Sequence, residues 1–409
     1  MYDTWVQAVD DGNMAGVMMI DLSAAFDMVD HAILLQKLEL LGLNNMAVAW
    51  FGSYLQGRSQ TVCIDGSLAK FLDIDCGVPQ GSVLGPLLYV LFTNDLPDVV
   101  HEHEDLLTYR EPNMHCDSCG GLVNFIDDAT YTFACSDPAQ MSDQLSSTYK
   151  RVSNYMASNK LVINADKTHL LVMGTRGMNS AREEVSLVAG DHMILPSSTE
   201  KLLGCNIHEN LKWGHHIRNG EKSLFRQLTS RVNALSKMAV NATFETRLMA
   251  ANGAFISVLS YLIPLWGGTE GYLIKGLQVL QNRAARCVTR LSWFTPTRTL
   301  MAKCKWLSIK QLVYYHSVLQ VHKVLRNGAP LYLSEKLVTE HPYPTRQATS
   351  GGLRYTSSNT GHLNLTQQSF LGRSAGIYNS IPSSIRTTTS LNTFKQKLKT
   401  WIKSNVPIE

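Results

Sequence analysis

The stretch that decides the fold of this 409-residue chain runs from Leu122 to Phe133 and reads LVNFIDDATYTF. β-Branched and aromatic residues flank Asp127 and Asp128 on both sides, which predicts a tight hairpin with both acids at its tip. Two adjacent carboxylates repel, and a fold tolerates them best when a cation lies between them. Taken alone, the pair leaves a second interpretation open, a solvated Asp-Asp turn.

A third acid ends an apolar run of strand character upstream. Residues 17–20 read VMMI and are followed by Asp21. One carboxylate beside a pair can hold two Mg²⁺ ions, the arrangement that transfers a nucleotidyl group by in-line displacement. Between the acids, residues 76–88 read CGVPQGSVLGPLL. Glycine and proline at this density suit a backbone that approaches a ligand closely before a helix begins.

Five blocks of the sequence resemble, in order, the reverse transcriptases of non-LTR (LINE-type) retrotransposons. They are DLSAAFD at 21–27 with VDH at 29–31, GVPQGSVLGP at 77–86, FIDD at 125–128, LVINADKT at 161–168 and LG at 203–204. The family usually has tyrosine and alanine where this chain has Phe125 and Ile126, and both acids are kept. The resemblance covers roughly residues 1–210. It implies an RNA-directed DNA polymerase with two Mg²⁺ ions as cofactor, and with RNA template, DNA primer, dNTPs and element RNA as partners.

The predicted fold is α+β: a right-hand polymerase palm, with helices packed on an antiparallel sheet, followed by an all-α thumb. Predicted domains are 1–210 (palm with partial fingers), 211–330 (helical thumb) and 331–409 (basic C-terminal region). The hydrophobic spacing and capping residues predict helices at 31–41, 45–55, 82–96, 138–158, 213–238, 243–261, 272–291, 309–326 and 391–403. Residues 62–64 and 71–74 are predicted to pair as strands, 185–195 to form a hairpin and 201–207 a further strand.

The resemblance assigns Asp21, Asp127 and Asp128 as catalytic metal ligands. Lys167 matches the family's lysine that approaches the leaving group, where it would act as general acid or as a counter-charge. A lone surface lysine is the other interpretation. Asp27 and Asp30 are assigned structural roles, and Asp30 is predicted to cap the helix that starts at His31.

Phe26, Gln80 and Gly81 are the predicted substrate-binding residues. A bulky ring at Phe26 would clash with a ribose 2′-hydroxyl and accept deoxyribose, which in the resemblance indicates a DNA product. By sequence alone Phe26 is an ordinary core aromatic, and the resemblance favours the substrate-binding role instead. The amide of Gln80, between Pro79 and Gly81, would reach the deoxyribose or the template base; otherwise it is a turn glutamine facing solvent.

Charge is divided unevenly along the chain, whose net charge is +4. Residues 1–200 carry 10 Lys and Arg against 26 Asp and Glu, a balance of −16, whereas 201–409 carry 27 against 7, a balance of +20. This polarity predicts an acidic metal-binding half and a basic half that binds phosphates. Arg283, Arg286 and Arg290 fall on one helical face and are predicted to bind the template–primer backbone, with a solvated charged face as the alternative.

The eight cysteines, without a signal peptide, indicate reduced thiols in an intracellular protein. The resemblance implies a ribonucleoprotein of nucleus and cytoplasm, with no membrane partner. His115, Cys116 and Cys119 have part of the spacing of zinc ligands. A small zinc site is one interpretation of these residues, and reduced thiols in a loop are the other.

Few basic residues precede or surround Asp21, since residues 1–100 hold only Lys37, Arg58 and Lys70. The family's fingers region is rich in such residues, so we expect an N-terminally truncated form or a fragment of a longer polyprotein, with weak activity by itself. Two rival functions are a catalytically inactive nucleic-acid-binding remnant and a viral RNA-copying RNA polymerase. The intact acids disfavour the first, and Phe26 with the block at 77–86 disfavours the second.

Overall fold

Strand β1 (Met14–Ile20) is the central element of the main sheet. Its sequence MAGVMMI is wholly apolar, and six of its seven residues are buried, as expected of a strand covered on both faces. It pairs antiparallel with β7 (Asp128–Cys135) on one side and β8 (His169–Met173) on the other. With β6 (Gly121–Phe125) beside β7, the strand order is β6-β7-β1-β8. The structure is a computed structural model that describes residues 1–100, 121–125, 128–338, 352–355 and 365–408.

Helices supply the other layer of this unit. They are α2 (His31–Leu40), α3 (Asn45–Leu55), α4 (Gly85–Phe92), α5 (Leu96–Val100), α6 (Pro138–Ser158) and α7 (Asn179–Glu184). Met18 of β1, Leu34 of α2, Leu88 of α4 and Leu145 of α6 are all fully buried in one hydrophobic core. Helices packed on an antiparallel sheet confirm the predicted α+β palm.

Short hairpins complete the first unit, and one prediction about them is wrong. The strands are β2 (Ser59–Gln60), β3 (Cys63–Ile64), β4 (Ser67–Leu68), β5 (Leu72–Asp73), β9 (Leu187–Ala189) and β10 (His192–Ile194). Residues 62–64 were expected to pair with 71–74, but β3 pairs with β4 and β2 pairs with β5. The cause is the turn Asp65-Gly66, where φ is +48° and +84°, because Asp-Gly at positive φ closes a two-residue hairpin. The hairpin predicted at 185–195 is confirmed as β9–β10.

The chain divides into two compact units, one of residues 13–198 with Met1 and one of 2–12 with 199–409. The second unit holds α1 (Tyr2–Asp10) and the strands β11 (Thr199–Leu202), β12 (Cys205–His208), β13 (Leu337–Val338) and β14 (Arg354–Tyr355). Its other helices are α8 (Leu224–Met238), α9 (Phe244–Ala251), α10 (Ser257–Ser260), α11 (Ile263–Trp266), α12 (Gly271–Thr289), α13 (Thr297–Cys304), α14 (Ile309–Asn327), α15 (Leu331–Ser334), α16 (Leu365–Gln368), α17 (Phe370–Asn379), α18 (Ser383–Arg386) and α19 (Leu391–Asn405).

These units differ from the predicted domain limits. Residues 2–12 and 199–210 lie in the second unit rather than with the palm, and the described part of 331–409 shares that unit with the predicted thumb. Every secondary-structure element between 211 and 330 is helical, as predicted for a thumb. The helix expected over 213–238 is interrupted: a π-helical turn occupies His215–Asn219 and α8 begins only at Leu224.

Helix α1 is fixed to later parts of the chain by three polar anchors. The Tyr2 hydroxyl donates to the Leu211 carbonyl over 2.8 Å. The backbone N–H groups of Leu371 and Thr366 donate to the carboxylates of Asp3 and Asp10, at 3.2 and 2.9 Å. Its apolar face, made of Trp5, Val6 and Val9, is buried. The helix is therefore an integral part of the second unit.

Candidate active site

The hairpin β6–β7 brings one predicted acid to the end of the main sheet. Phe125 pairs with Asp128, so only two positions separate β6 from β7 along the chain. This confirms the predicted tight hairpin and makes Asp128 the first residue of β7. Asp127 lies outside the described residues.

The register of β1 against β7 places a second acid beside it. Ile20 pairs with Ala129, the last pair of this register. Because the strands are antiparallel, Asp21 after Ile20 and Asp128 before Ala129 adjoin that pair at the same end of the sheet. Asp128 is exposed and Asp21 is partly exposed, so both carboxylates are accessible to a ligand.

Lys167 lies against Asp21. Its Nζ is 3.0 Å from Asp21 Oδ2. The Asn164 N–H donates to the Asp21 carbonyl at 3.0 Å, and Leu22 forms a β-bridge with Ile163. A short 3₁₀ turn, Ala165–Lys167, then carries the lysine to the carboxylate. The candidate catalytic residues Asp21, Asp128 and Lys167, far apart in sequence, are thus brought together.

The donor set fits a divalent cation. Carboxylate oxygens are the ligands that Mg²⁺ prefers, and it usually binds through one or two carboxylates together with substrate phosphates. Like charges directly opposite each other on neighbouring strands destabilise a sheet unless a cation compensates them. The structure supplies one such compensation in the Lys167 ammonium. Asp21 and Asp128 would therefore hold Mg²⁺.

The loop after Cys76 is interlocked with the turn that follows Asp21. The Gly77 N–H donates to the Val29 carbonyl (2.7 Å) and the Val78 N–H to the Phe26 carbonyl (2.8 Å). Gly77 has φ +90°, and a Cβ there would lie 2.9 Å from both the Cα and the carbonyl oxygen of Asp27. Only glycine permits this approach, which fixes the two loops against each other.

Gln80 is held by an acid that sequence reasoning left out of the site. Its Nε2 donates to Asp27 at 2.9 Å (Oδ1) and 3.1 Å (Oδ2). The partners are 53 positions apart, and no local sequence signal links them. Gly81 follows at φ +81° with open space around it. The predicted substrate residues Gln80 and Gly81 therefore lie on an exposed loop that Asp27 helps to position.

Phe26 is half-buried and packs on a core aromatic. Its ring centroid is 5.0 Å from that of Tyr89, which is 1% exposed. The packing fixes the ring while part of it remains accessible. The ring is thus anchored on the core, and its role toward the incoming nucleotide stays a prediction.

Asp30 caps α2 as predicted. Its Oδ1 accepts from the Ile33 N–H (3.0 Å) and its Oδ2 pairs with Lys160 Nζ (2.5 Å). The hydrogen bond from Lys160, and then that from Ile33, lower the pKa of the Asp30 carboxyl. His31 Nε2 lies 2.8 Å from the Gly77 carbonyl oxygen and ties the helix start to the glycine loop.

The predicted phosphate-binding arginines belong to α12 and its end. Arg286 donates to the Trp293 carbonyl (2.8 Å) and its guanidinium lies 4.7 Å from the Trp293 ring. Arg290 has φ +55° at the C-terminus of α12 and donates to the carbonyls of Ala239 and Val240. Both side chains thus have structural contacts, and a role of Arg283, Arg286 and Arg290 toward nucleic acid stays a prediction.

The fifth block forms a hairpin turn in the second unit. Leu203 and Gly204 join β11 to β12 with φ of +45° and +83°, as in a type I′ turn. The Leu203 carbonyl accepts from the Tyr261 hydroxyl at 2.7 Å. The single strand predicted at 201–207 is therefore a two-stranded hairpin.

The predicted zinc residues His115, Cys116 and Cys119 lie outside the described residues, and nothing supports a zinc site. Within the described ranges, no group of three or more His, Cys, Asp and Glu side chains is arranged to hold a metal ion. None of the described helices combines the length and apolar character needed to cross a bilayer.

Residues 6–207, about half of the chain, match the family model described as reverse transcriptase (RNA-dependent DNA polymerase). Through this segment, which contains the sheet, the acids and Lys167, the chain belongs to the reverse transcriptase family.

Its relatives define the kind of reverse transcriptase more closely. The chain is 24% identical over 330 residues to the probable RNA-directed DNA polymerase from transposon X-element of Drosophila melanogaster, covering 77% of this chain and 33% of that protein. It is 25% identical to the polymerase from transposon BS of the same organism (82% and 35%) and 24% identical to that of mobile element jockey of Drosophila funebris (73% and 31%). The chain is thus similar to RNA-directed DNA polymerases of transposons and mobile elements, and it spans about a third of the length of these relatives.

Among solved structures, the chain is similar to telomerase from Candida tropicalis in complex with a fragment of telomeric RNA. The match covers 97% of this chain and 50% of that one, with 11% identity and a TM-score of 0.38. Apo telomerase from the same organism matches over 80% of this chain and 54% of that one, with 11% identity and a TM-score of 0.38.

Proposed function

We propose that this chain is the RNA-directed DNA polymerase part of a non-LTR retrotransposon, adding dNTPs to a primer 3′-hydroxyl opposite an RNA template. The observation that carries the proposal is that Asp21 and Asp128 adjoin the last pair of the β1–β7 register, with Lys167 Nζ 3.0 Å from Asp21 Oδ2. The element's own RNA would be the template, in a ribonucleoprotein of nucleus and cytoplasm.

Asp21 and Asp128, together with the neighbouring Asp127, would hold two Mg²⁺ ions. When bound, these ions would lower the pKa of the primer 3′-hydroxyl and neutralise charge on the departing pyrophosphate. The carboxylates would orient the reacting groups from two adjacent strands, which fixes their separation more firmly than loops would.

Lys167 would act beside the triphosphate. Its ammonium is paired with Asp21. A cation bound by Asp21 would compete for the same oxygen, so the lysine would be released to face the leaving phosphates. There it would supply a proton or a positive charge.

Phe26 and Gln80 would select the nucleotide. The Phe26 ring, supported by Tyr89, would exclude a ribose 2′-hydroxyl. Asp27 fixes the Nε2 side of the Gln80 amide, which leaves its carbonyl side directed away from the carboxylate. Binding to the deoxyribose or the template base would then require no reorientation of the amide.

The test is primer extension on an RNA template with dNTPs or rNTPs, using the wild type, Asp21→Asn and Asp128→Asn. Loss of a group that stabilises developing charge should lower the rate by about 10²-fold or more. Asp65→Asn, which removes the same charge in an exposed hairpin turn, should retain activity. Undiminished extension by both site variants would refute the assignment. RNA binding without extension by the wild type would favour the inactive remnant instead.

A further inference from the structure

Helix α19 carries four lysines, of which Lys395, Lys399 and Lys403 lie along one line of the helix and are here called the basic stripe. They are four residues apart, so their Cα atoms are spaced about 6 Å along the helix. Lys399 and Lys403 are exposed and Lys395 is half-buried. The helix contains no acid, and neither does any position from 341 to 408.

The apolar face of this helix, next to the basic stripe, is anchored in the second unit. Phe394, Leu398 and Ile402 are all 0% exposed. The Phe394 ring stacks on His322 of α14, with centroids 3.6 Å apart and an interplanar angle of 8°. At the other end, Gln311 Nε2 donates to the Val406 carbonyl at 2.9 Å. The basic stripe is therefore presented by a helix that is fixed at both ends.

The charges of the basic stripe are not compensated within the described part of the chain, where none of the three lysines forms an ion pair with a carboxylate. Like charges four residues apart in a helix repel each other. Burial, and then the charge of Lys403, lower the pKa of Lys399. A bound polyanion would remove this repulsion.

A lipid surface fits this helix poorly. Helices that bind membranes insert an apolar face between the lipids, and the apolar face of α19 is already buried against the protein. Regularly spaced ammonium groups instead match the regularly spaced phosphates of a nucleic acid strand, to which lysine binds as a point charge.

We propose that the basic stripe of α19 binds the sugar-phosphate backbone of RNA, as a site additional to the catalytic one. The inference rests on the proposed function only in taking RNA as the polyanion. Because lysine contacts to phosphate carry no base information, the site would hold RNA irrespective of its sequence.

The experiment measures binding of the whole chain to a labelled single-stranded RNA of mixed sequence between 50 and 200 mM salt. Each phosphate contact contributes about 0.7 to the log–log salt slope for a single strand. Lys395→Gln/Lys399→Gln/Lys403→Gln should therefore flatten the slope by about 2. Over this fourfold salt range the wild type should lose roughly 20-fold more affinity than the variant.

The matched control removes the same charge elsewhere in the second unit, at the exposed residues Lys212, Lys275 and Lys303. Circular dichroism melting of both triple variants establishes that they fold. A wild-type slope in the stripe variant, or equal flattening in the control variant, would overturn the proposal. Stripe-dependent binding to vesicles of anionic phospholipid, without a change in RNA binding, would also overturn it.

The two proposals fail separately. If the wild type does not extend primers but the stripe variant loses its salt-dependent RNA binding, the RNA-binding role of the basic stripe is supported and the polymerase assignment is refuted. If the wild type extends primers and the stripe variant keeps the wild-type salt slope of RNA binding, the polymerase assignment is supported and the RNA-binding role of the basic stripe is refuted.

Discussion

Replacing Gly77 by alanine tests whether the glycine loop and the turn after Asp21 are held together by backbone contact. The new methyl group would lie 2.9 Å from the Cα and the carbonyl oxygen of Asp27, and backbone atoms cannot rotate away as a side chain can. A left-handed conformation at a residue with a Cβ costs about 1–2 kcal/mol. Overpacking adds about 1–3 kcal/mol, so Gly77→Ala should destabilise the first unit by roughly 2–5 kcal/mol.

Gly81 provides the matched control in the same loop. Its φ is +81° against +90° at Gly77, but a Cβ at Gly81 would meet nothing within 4 Å. Gly81→Ala should therefore cost only the conformational part, about 1–2 kcal/mol. The free energy of unfolding is measured in urea for both variants. The difference between Gly77→Ala and Gly81→Ala, expected to be about 1–3 kcal/mol, is the cost of the contact with the Asp27 backbone. Equal destabilisation would show that the loops are not in backbone contact, and the interlocked site would have to be abandoned.

Three further outcomes are expected. Burial lowers the pKa of His216 from 6.5 to about 4, so protonation of this side chain opposes folding. Its contribution to the free energy of unfolding is complete above pH 6.5 and falls by about 3 kcal/mol as the pH drops toward 4. The urea midpoint of His216→Asn should therefore depend less on pH than that of the wild type. Phe26→Val should raise the ratio of rNTP to dNTP incorporation, whereas Phe71→Val at an exposed position should not; an unchanged ratio at Phe26 would leave it a purely structural aromatic. Asp10→Ala should lower the free energy of unfolding by about 1–3 kcal/mol, because the Thr366 N–H loses its acceptor. Asp11→Ala, at the exposed neighbouring position, should change it little. Similar unfolding free energies for the two variants would argue against the α1 anchor.

Much of the first unit could be predicted because its signals are local. Asp30 and Asp137 were expected to precede helices, and both side chains accept hydrogen bonds from the first turn of α2 and α6. Helix α3 spans the predicted residues 45–55. Capping and hydrophobic spacing act over a few residues, and a single sequence displays them directly.

Errors arose where a side chain or a glycine interrupts an apolar run. The helix predicted over 82–96 begins only at Gly85, because the Ser82 hydroxyl donates to the Pro79 carbonyl (2.7 Å) and accepts from the Gly85 N–H (2.9 Å) in a turn. The helix predicted over 213–238 is interrupted at Gly220, where a Cβ would lie 2.8 Å from the His215 carbonyl oxygen. The spacing of hydrophobic residues indicates neither the Ser82 turn nor the interruption at Gly220.

The candidate site was predictable in its residue types but not in its internal contacts. The resemblance pointed to Asp21, Asp128 and Lys167, and the sheet register explains how strands from separate blocks meet. The bond from Gln80 to Asp27 spans 53 positions. Such pairs leave no trace in spacing or composition, because they depend on how two loops are brought together by the fold.

The anchoring of α1 also sets an order of events during synthesis. Asp10 and Thr366 are 356 positions apart, and a ribosome adding about 5–20 residues per second needs about 20–70 s to make the chain between them. For that time the apolar face of Trp5, Val6 and Val9 has been made while its partners have not. A nascent chain in this interval exposes a hydrophobic surface that a chaperone would have to cover. Helix α1 is thus translated early and folded late.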